Sequence, residues 1–345
     1  MNPRSQLQVV EVDPADDATI AAWHAVYAAS ARQELGPVAV PWQHEELRVM
    51  VQERGRRQAL TAYAGLRDGE VVAAGLLTLP LLDNRHRAEL DVHVHPALRR
   101  TGLGSQLLAH LEGRAREAGR TVMSAEASWP WTAGPQGAGR AGPEFARRHG
   151  YHLGISDVQR MLELPVAEDR LAALRDAAAP HHADYEVRAW VGPVPDDLVR
   201  GWVELEASID TEAPVGGLDL EPRAADLAAY REDETLTARQ GRTKINAVAL
   251  TRAAEVVAYS DLATTVHEPE RAYQWGTLVR RDHRGHRLGL ALKLATLTLL
   301  QQGWPAVRQV MTYNAEVNTP MIAVNELMGY RPVARLGELQ KRLGD

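Results

Sequence analysis

Two hydrophobic periods interleave along this chain, and their order predicts its architecture. Runs in which apolar and polar residues alternate, as a half-buried strand requires, fall at 7–12, 60–66, 71–79, 88–94, 121–127 and 158–164. The runs 60–66 and 71–79 are joined by Arg67-Asp68-Gly69-Glu70, whose Asp-Gly step signals a hairpin turn. Helical spacing predicts helices at 16–30, 43–54, 102–118 and 144–149, the first opened by acidic residues that suit a helix N-terminus. Residues 129–143 are rich in Gly, Pro and Trp without a period, and read as a loop. An Ala-rich connecting helix at 167–179 is stopped by Pro180.

The order then repeats. Strands are expected at 185–190, 246–250, 256–264, 272–279 and 309–313, and helices at 196–209, 223–239, 288–302 and 318–328, before a final strand. The repetition predicts two related domains, 1–165 and 185–345, joined by a linker over 166–184, which suits 345 residues at about 150 per domain. Strands surrounding helices in this order place the chain in the α+β (mixed α/β) class rather than among solenoids.

One signal occurs twice, 185 residues apart: Val94-His95-Pro96-Ala97-Leu98-Arg99-Arg100-Thr101-Gly102-Leu103-Gly104 and Val279-Arg280-Arg281-Asp282-His283-Arg284-Gly285-His286-Arg287-Leu288-Gly289. Each follows a strand, crosses a basic turn and opens an Ala/Leu-rich helix. A helix N-terminus presents unpaired N–H groups and a partial positive charge, so it attracts phosphate oxygens. Gly102 and Gly104 allow a diphosphate to approach the backbone, and Arg99 and Arg100 add charge.

Composition narrows the chemistry. With 45% hydrophobic residues, one Phe and eight Trp, the cores must be filled by Leu, Val, Ala and Trp. A net charge of -6 gives no support to a general nucleic-acid surface. The absence of cysteine excludes disulfides, a thiolate metal site and a Cys nucleophile. The polar stretch 1–11 lacks a signal core, and no apolar run approaches the roughly 20 residues of a membrane span. The expectation is a cytoplasmic protein with no nucleic-acid or membrane partner, monomeric or homodimeric.

The basic turn resembles the R-x-x-G-x-G/A signature of the GNAT acetyltransferase superfamily. The likeness covers nearly the whole chain, and extends in the second half to Asn314-Ala315-Glu316-Val317-Asn318, Met321, Asn325 and Gly329-Tyr330. It implies two tandem GNAT domains, each a mixed, mostly antiparallel sheet flanked by helices, and acetyl-CoA as co-substrate. It also implies that Leu278 and Val279 meet the pantetheine, and that Arg284, Gly285, His286, Arg287, Leu288 and Gly289 hold the diphosphate. Asn314 and Asn318 would lie near the thioester. In the first half, Val94, Arg99, Arg100, Gly102 and Gly104 match the same cofactor turn.

Both halves depart from the pattern. Arg287 stands where the first copy has Gly102, and Asn325 stands where many relatives carry a Tyr that protonates the leaving thiolate; an amide is a poor proton source. Tyr313, Tyr330 or water could replace it. The matching positions in the first half are Gly139 and Ala146. Tandem GNAT proteins such as the mycothiol synthase-like proteins of actinobacteria place the chemistry in their C-terminal half. By that likeness the second half is catalytic and the first degenerate, so Gly289→Glu should abolish turnover and Gly104→Glu should leave it intact.

Candidates for the base are Glu212 and Asp219 in the loop 210–219, Asp261 on a hairpin, and His267; Gln274 cannot act as one. His283 with His286, and His93 with His95, lack the further ligands of a metal site, and Trp129 and Trp131 read as packing for their loop. The expected activity is acetyl transfer to an amine of a small molecule by direct attack on the thioester. The rivals are a protein or peptide N-acetyltransferase and a non-catalytic CoA-binding module.

Overall fold

The computed structural model describes residues 7–53 and 55–343, so the expected helix end at Arg54 lies outside the described residues. The chain forms two compact units. One holds the residues up to Asp157, Gly216–Glu221 and the chain from Ala334 onward; the other holds Val158–Val215 and Pro222–Val333.

In the first unit β1 (Gln8–Glu11), β2 (Gln58–Arg67), β3 (Glu70–Pro80) and β4 (Arg87–Val94) follow one another antiparallel. β5 (Val122–Pro130) then pairs parallel to β4. The Asp68-Gly69 turn forms as expected, both residues taking positive φ. Alternate residues of β3 serve two faces. Ala73 and Leu77 join the core under α3 (Leu103–Glu117), with Leu107 and Leu111, while Ala74 and Leu76 join that of α1 (Asp17–Leu35), with Trp23.

The strand that closes this sheet is the last of the chain. β12 (Arg331–Arg342) pairs antiparallel with β5 from Ala334↔Pro130 to Arg342↔Val122, and Leu339 enters the core under α3. Gly337 makes room for the buried Trp129 indole, which a Cβ would meet at 2.5 Å. Expectation put 158–164 in this place. Instead β6 (His152–Glu163) belongs to the second unit from Val158 on, so the units are not the contiguous segments 1–165 and 185–345.

In the second unit β7 (Glu186–Val191), β8 (Arg242–Leu250), β9 (Val256–Thr265) and β10 (Arg271–Val279) run antiparallel. β11 (Gln309–Ala315) is parallel to β10, and β6 lies beside β11. α9 (Leu288–Gly303) is apolar around most of its circumference. Leu290, Leu294, Leu297 and Leu300 share a core with Ile245 and Leu262, and Leu292 packs with Ala247 and Ala249. Trp202 of α6 (Val199–Ala207) packs with Val248 and Tyr259 on the alternate face. Each such leucine contributes about 1.5–3 kcal/mol by leaving water. The strands of each unit are thus mixed and mostly antiparallel, with α2 (His44–Gln52), α4 (Ala141–Arg148), α5 (Glu168–Ala178) and α8 (Leu227–Arg239) as further helices. Among the described residues no helix is long and apolar enough to cross a membrane.

Candidate active site

The two basic turns share one backbone path with their residues exchanged. Before α3, Arg100 and Gly102 take positive φ, at 66° and 88°; before α9, Gly285 and Arg287 do so, at 89° and 51°. Each turn therefore needs two left-handed positions two residues apart, and glycine occupies a different one in each copy. Arg287 replaces Gly102 without changing the turn, and the first-turn amides of α9 receive no side-chain cap.

The arginines around the second turn are held in place. Arg284 donates to Val279 O at 3.1 Å and to Glu212 Oε2 at 2.7 Å, and Arg287 donates to Ala177 O at 2.9 Å. Glu212, at the end of α7 (Ile209–Glu212), thus sits on the basic turn. His286 Nδ1 lies 3.1 Å from His181 O, and His283 Nδ1 lies 2.9 Å from the Tyr185 hydroxyl. Gly289 faces the end of β10, where a Cβ would find Thr277 Cγ2 at 3.8 Å and Val279 Cγ2 at 3.9 Å.

Parallel pairing of β10 with β11 runs from Arg271↔Gln309 to Gln274↔Thr312 and then stops. The register of β10 against β9 shifts between Gln274 and Thr277, a bulge that re-aims Leu278 and Val279. Buried side chains hold it. Asp261 Oδ1 accepts from Gly276 N at 2.7 Å, Asp261 Oδ2 pairs with Lys244 Nζ at 2.8 Å, and Gln274 Nε2 donates to Asp261 O at 2.6 Å. Only glycine fits at 276, because a Cβ would meet Tyr259 Oη at 2.6 Å. Asp261 and Gln274 therefore shape the strand. β4 has no counterpart, its register against β3 running unshifted from Ala73↔Val94 to Thr78↔Glu89.

Beyond the bulge lies a cavity of about 300 Å³ whose lining includes Glu206, Tyr230, Asp233, Glu234, Lys244 and Trp275. The Tyr230 hydroxyl is buried there with no hydrogen-bond partner among the described residues. Burial, with Glu206 next, pushes its pKa far above the usual phenol value, so it remains a donor.

At the end of β11 a polar chain crosses the core. Lys293 Nζ donates to Asn325 Oδ1 at 2.5 Å, Asn325 Nδ2 to Asn314 Oδ1 at 3.0 Å, and Asn314 Nδ2 to Ala315 O at 3.1 Å. Asn318 caps α10 (Thr319–Met328), accepting from Met321 N at 3.3 Å. Tyr313 is half-buried on β11, and Tyr330 is buried in the core with its ring centre 5.2 Å from Lys293 Nζ.

The structure thus gathers Asp261, Leu278, Val279, Arg284 to Gly289, Asn314 and Asn325 along the parted strands β10 and β11. It leaves other expected residues elsewhere. Asp219 belongs to the first unit, paired with Arg342 at 2.6 Å, because the loop 210–219 changes unit at Gly216. His267 lies in the turn after β9, beside Gly241. Sequence reading missed Lys293, Lys244 and Tyr230, although a lone lysine within the leucines of α9 was a visible signal.

In the first unit β4 and β5 also part, after Glu89↔Ser124. Arg99 is engaged by Ser30 O at 3.0 Å and Glu34 at 3.3 Å, and a Cβ on Gly104 would crowd Phe145 at 3.3 Å and Val94 at 3.5 Å. Desolvation, with Glu89 adding, pushes the Asp91 carboxyl up to about 6. Glu126 on β5, opposite Glu338 of β12 and reached by water, is pushed to about 8 by desolvation first and by Asp91 next. Trp129 donates to Gly134 O at 2.8 Å, and Trp131 lies under Arg335, so both pack their own loop and strand.

Comparisons with known proteins bear on the fold of the whole chain and, by family, on the first unit. Residues 23–128 match the acetyltransferase (GNAT) family. The chain is similar to the structure of a tandem GNAT protein from the clavulanic acid biosynthesis pathway, with 29% identity, a TM-score of 0.78 and 99% of each chain covered. A GCN5-related N-acetyltransferase from Sphaerobacter thermophilus shares the fold at 16% identity and a TM-score of 0.65, over 99% of this chain and 97% of that one. A GCN5-related glucosamine N-acetyltransferase region of a fungal multi-domain β-N-acetylglucosaminidase shares it at 14% identity and a TM-score of 0.62, over 96% of this chain and 38% of that one. No curated protein matches the chain. The chain is an acyltransferase with a tandem GNAT architecture.

Proposed function

We propose that the second unit transfers acetyl from acetyl-CoA to an amine of a small molecule, by direct attack of the amine on the thioester carbonyl. The observation that carries this reading is the bulge at Gly276, braced by Asp261 and opening beside the cavity. The amides of Leu278 and Val279 would face the pantetheine and acetyl oxygen, and the first turn of α9 with Arg284 and Arg287 would hold the diphosphate. The amine nitrogen forms its bond to the carbonyl carbon, the C–S bond breaks, and the sulfur leaves with the electron pair.

A cavity of this size suits a small acceptor better than a peptide. Its lining carries four carboxylates (Glu206, Asp233, Glu234 and Asp261) against two cations, Arg223 and Lys244, which favours an acceptor bearing positive charge. Tyr230 would donate to a polar group of that acceptor. Tyr230→Phe keeps the ring and removes the donor, so the KM for the amine should rise about tenfold while acetyl-CoA affinity is unchanged. Steady-state release of CoA with each substrate varied checks this; an unchanged amine KM would remove Tyr230 from the acceptor site. Release of CoA that requires a supplied amine is the primary test of the whole reading, and binding without turnover for a broad amine panel would favour a non-catalytic module.

Glu212 competes with a diphosphate for Arg284. The pair is partly exposed and worth at most about 1 kcal/mol. Glu212→Gln should therefore tighten acetyl-CoA binding by up to about fivefold at low salt, measured by calorimetry, whereas weaker binding would give Glu212 a direct part in holding the cofactor.

A second reading places the cofactor in the first unit, where β4 and β5 also part and the basic turn keeps both Gly102 and Gly104. The unshifted β4 and the residues pressed around Gly104 weigh against it.

A further inference from the structure

We propose that Lys293 is a positioning residue for the transfer step, holding Asn325 and Asn314 in a single orientation at the end of β11, where the C–S bond breaks. This rests on the reading above, in which the cofactor thiol lies at the end of β11.

Lys293 is 1% exposed on a helix whose neighbouring side chains are leucines. Its hydrogen-bonding contacts are Asn325 Oδ1 at 2.5 Å and Met321 Sδ at 3.9 Å from α10, with the Tyr330 ring beyond. Tyr330 is the titratable group facing it, and burial keeps that phenol protonated. Burial alone pushes the Lys293 ammonium down to about 7, with no carboxylate opposing it among the described residues. An ammonium in such a place is costly, and an apolar side chain of equal volume would serve packing better.

The first unit supplies an internal control. The position 185 residues before Lys293 is Leu108, and the residue four before Gly150, as Asn325 is four before Gly329, is Ala146. The position on β5 that matches Asn314, counted from the parallel pairs Arg87↔Val122 and Arg271↔Gln309, is Ala127. All three are apolar, and Leu108 and Ala146 lie buried in that unit's core. The fold closes without the polar chain, which is present as a set in the unit whose β10 is bulged.

The amides are connected in one direction, lysine to Asn325 to Asn314, so each donor polarises the next. Lys293 does not donate its proton to the sulfur; as ammonium or as neutral amine it donates to Asn325 Oδ1, and so holds both amides in the orientation they present to the developing thiolate. The proton lost by the attacking amine goes to solvent or sulfur.

The thiol of bound CoA reports this directly. Its ionisation, followed by thiolate ultraviolet absorbance against bound desulfo-CoA as blank, is expected at an apparent pKa about one unit lower in the wild type than in Lys293→Met, a tenfold difference. In turnover the same variant should lose about tenfold in kcat, with the KM for acetyl-CoA nearly unchanged. Lys293→Leu, which copies Leu108, guards against an effect peculiar to methionine. Equal thiol pKa values in wild type and both variants would overturn the inference and leave the cofactor reading standing. Failure of CoA to bind the wild type would overturn both.

Discussion

Gly289→Glu is expected to abolish acetyl transfer and to weaken acetyl-CoA binding by about a hundredfold or more. Residue 289 is buried in the first turn of α9, where a Cβ meets only ordinary contacts at 3.8 and 3.9 Å, so the backbone there accepts a side chain and the carboxylate carries the cost. What changes is charge. A carboxylate would stand at the helix N-terminus where the diphosphate is expected, and two like charges about 4 Å apart near a protein surface repel by about 4 kcal/mol. Calorimetry and a thermal melt on the same sample separate lost affinity from lost fold. The companion variant Gly104→Glu is not the clean control that sequence suggests, because a Cβ at 104 already meets the Phe145 ring at 3.3 Å, tighter than ordinary contact.

The second large effect concerns stability. The Lys293 pKa is pushed from an ordinary 10.5 to about 7 in the folded protein. Below pH 7 the ammonium is charged in both states and its burial opposes folding in full. Between about pH 7 and 10 the unfolded chain binds the proton and the folded chain does not, so stability rises with pH across that window. The limiting rise is on the order of 4 kcal/mol at about 1.4 kcal/mol per unit. Lys293→Met should flatten this slope and, at pH 6, melt above the wild type while turning over more slowly, the opposition expected of a residue retained for function at the expense of stability. Urea titrations from pH 6 to 10 measure it; parallel curves for the two proteins would mean that burial does not lower the Lys293 pKa.

Much of this was legible in the chain because the signals were local. Periodicity located the strands and helices, Asp68-Gly69 the hairpin turn, and the duplicated turn the two units. Arg287 looked like a defect until the backbone showed that each turn has two left-handed positions, either of which can hold glycine. What sequence could not supply was pairing at long range. Residues 334–342 close the first sheet because they find β5, and no short pattern announces a partner two hundred residues away. Asp219 was assigned to the wrong unit for the same reason. Asp261 was legible only as an acid on a hairpin, because its burial and its bond to Gly276 depend on a bulge, and one extra residue in a strand leaves no periodic trace. Lys293 was visible but had no meaning until Asn325 and Asn314 were brought beside it.

The central claim is that the second unit holds the cofactor. Titration calorimetry of acetyl-CoA into the wild type and Gly289→Glu tests it most directly. One site in the wild type that disappears in the variant is the expected result. A site retained in Gly289→Glu with unchanged heat and stoichiometry would contradict the account and place acetyl-CoA at the basic turn before α3.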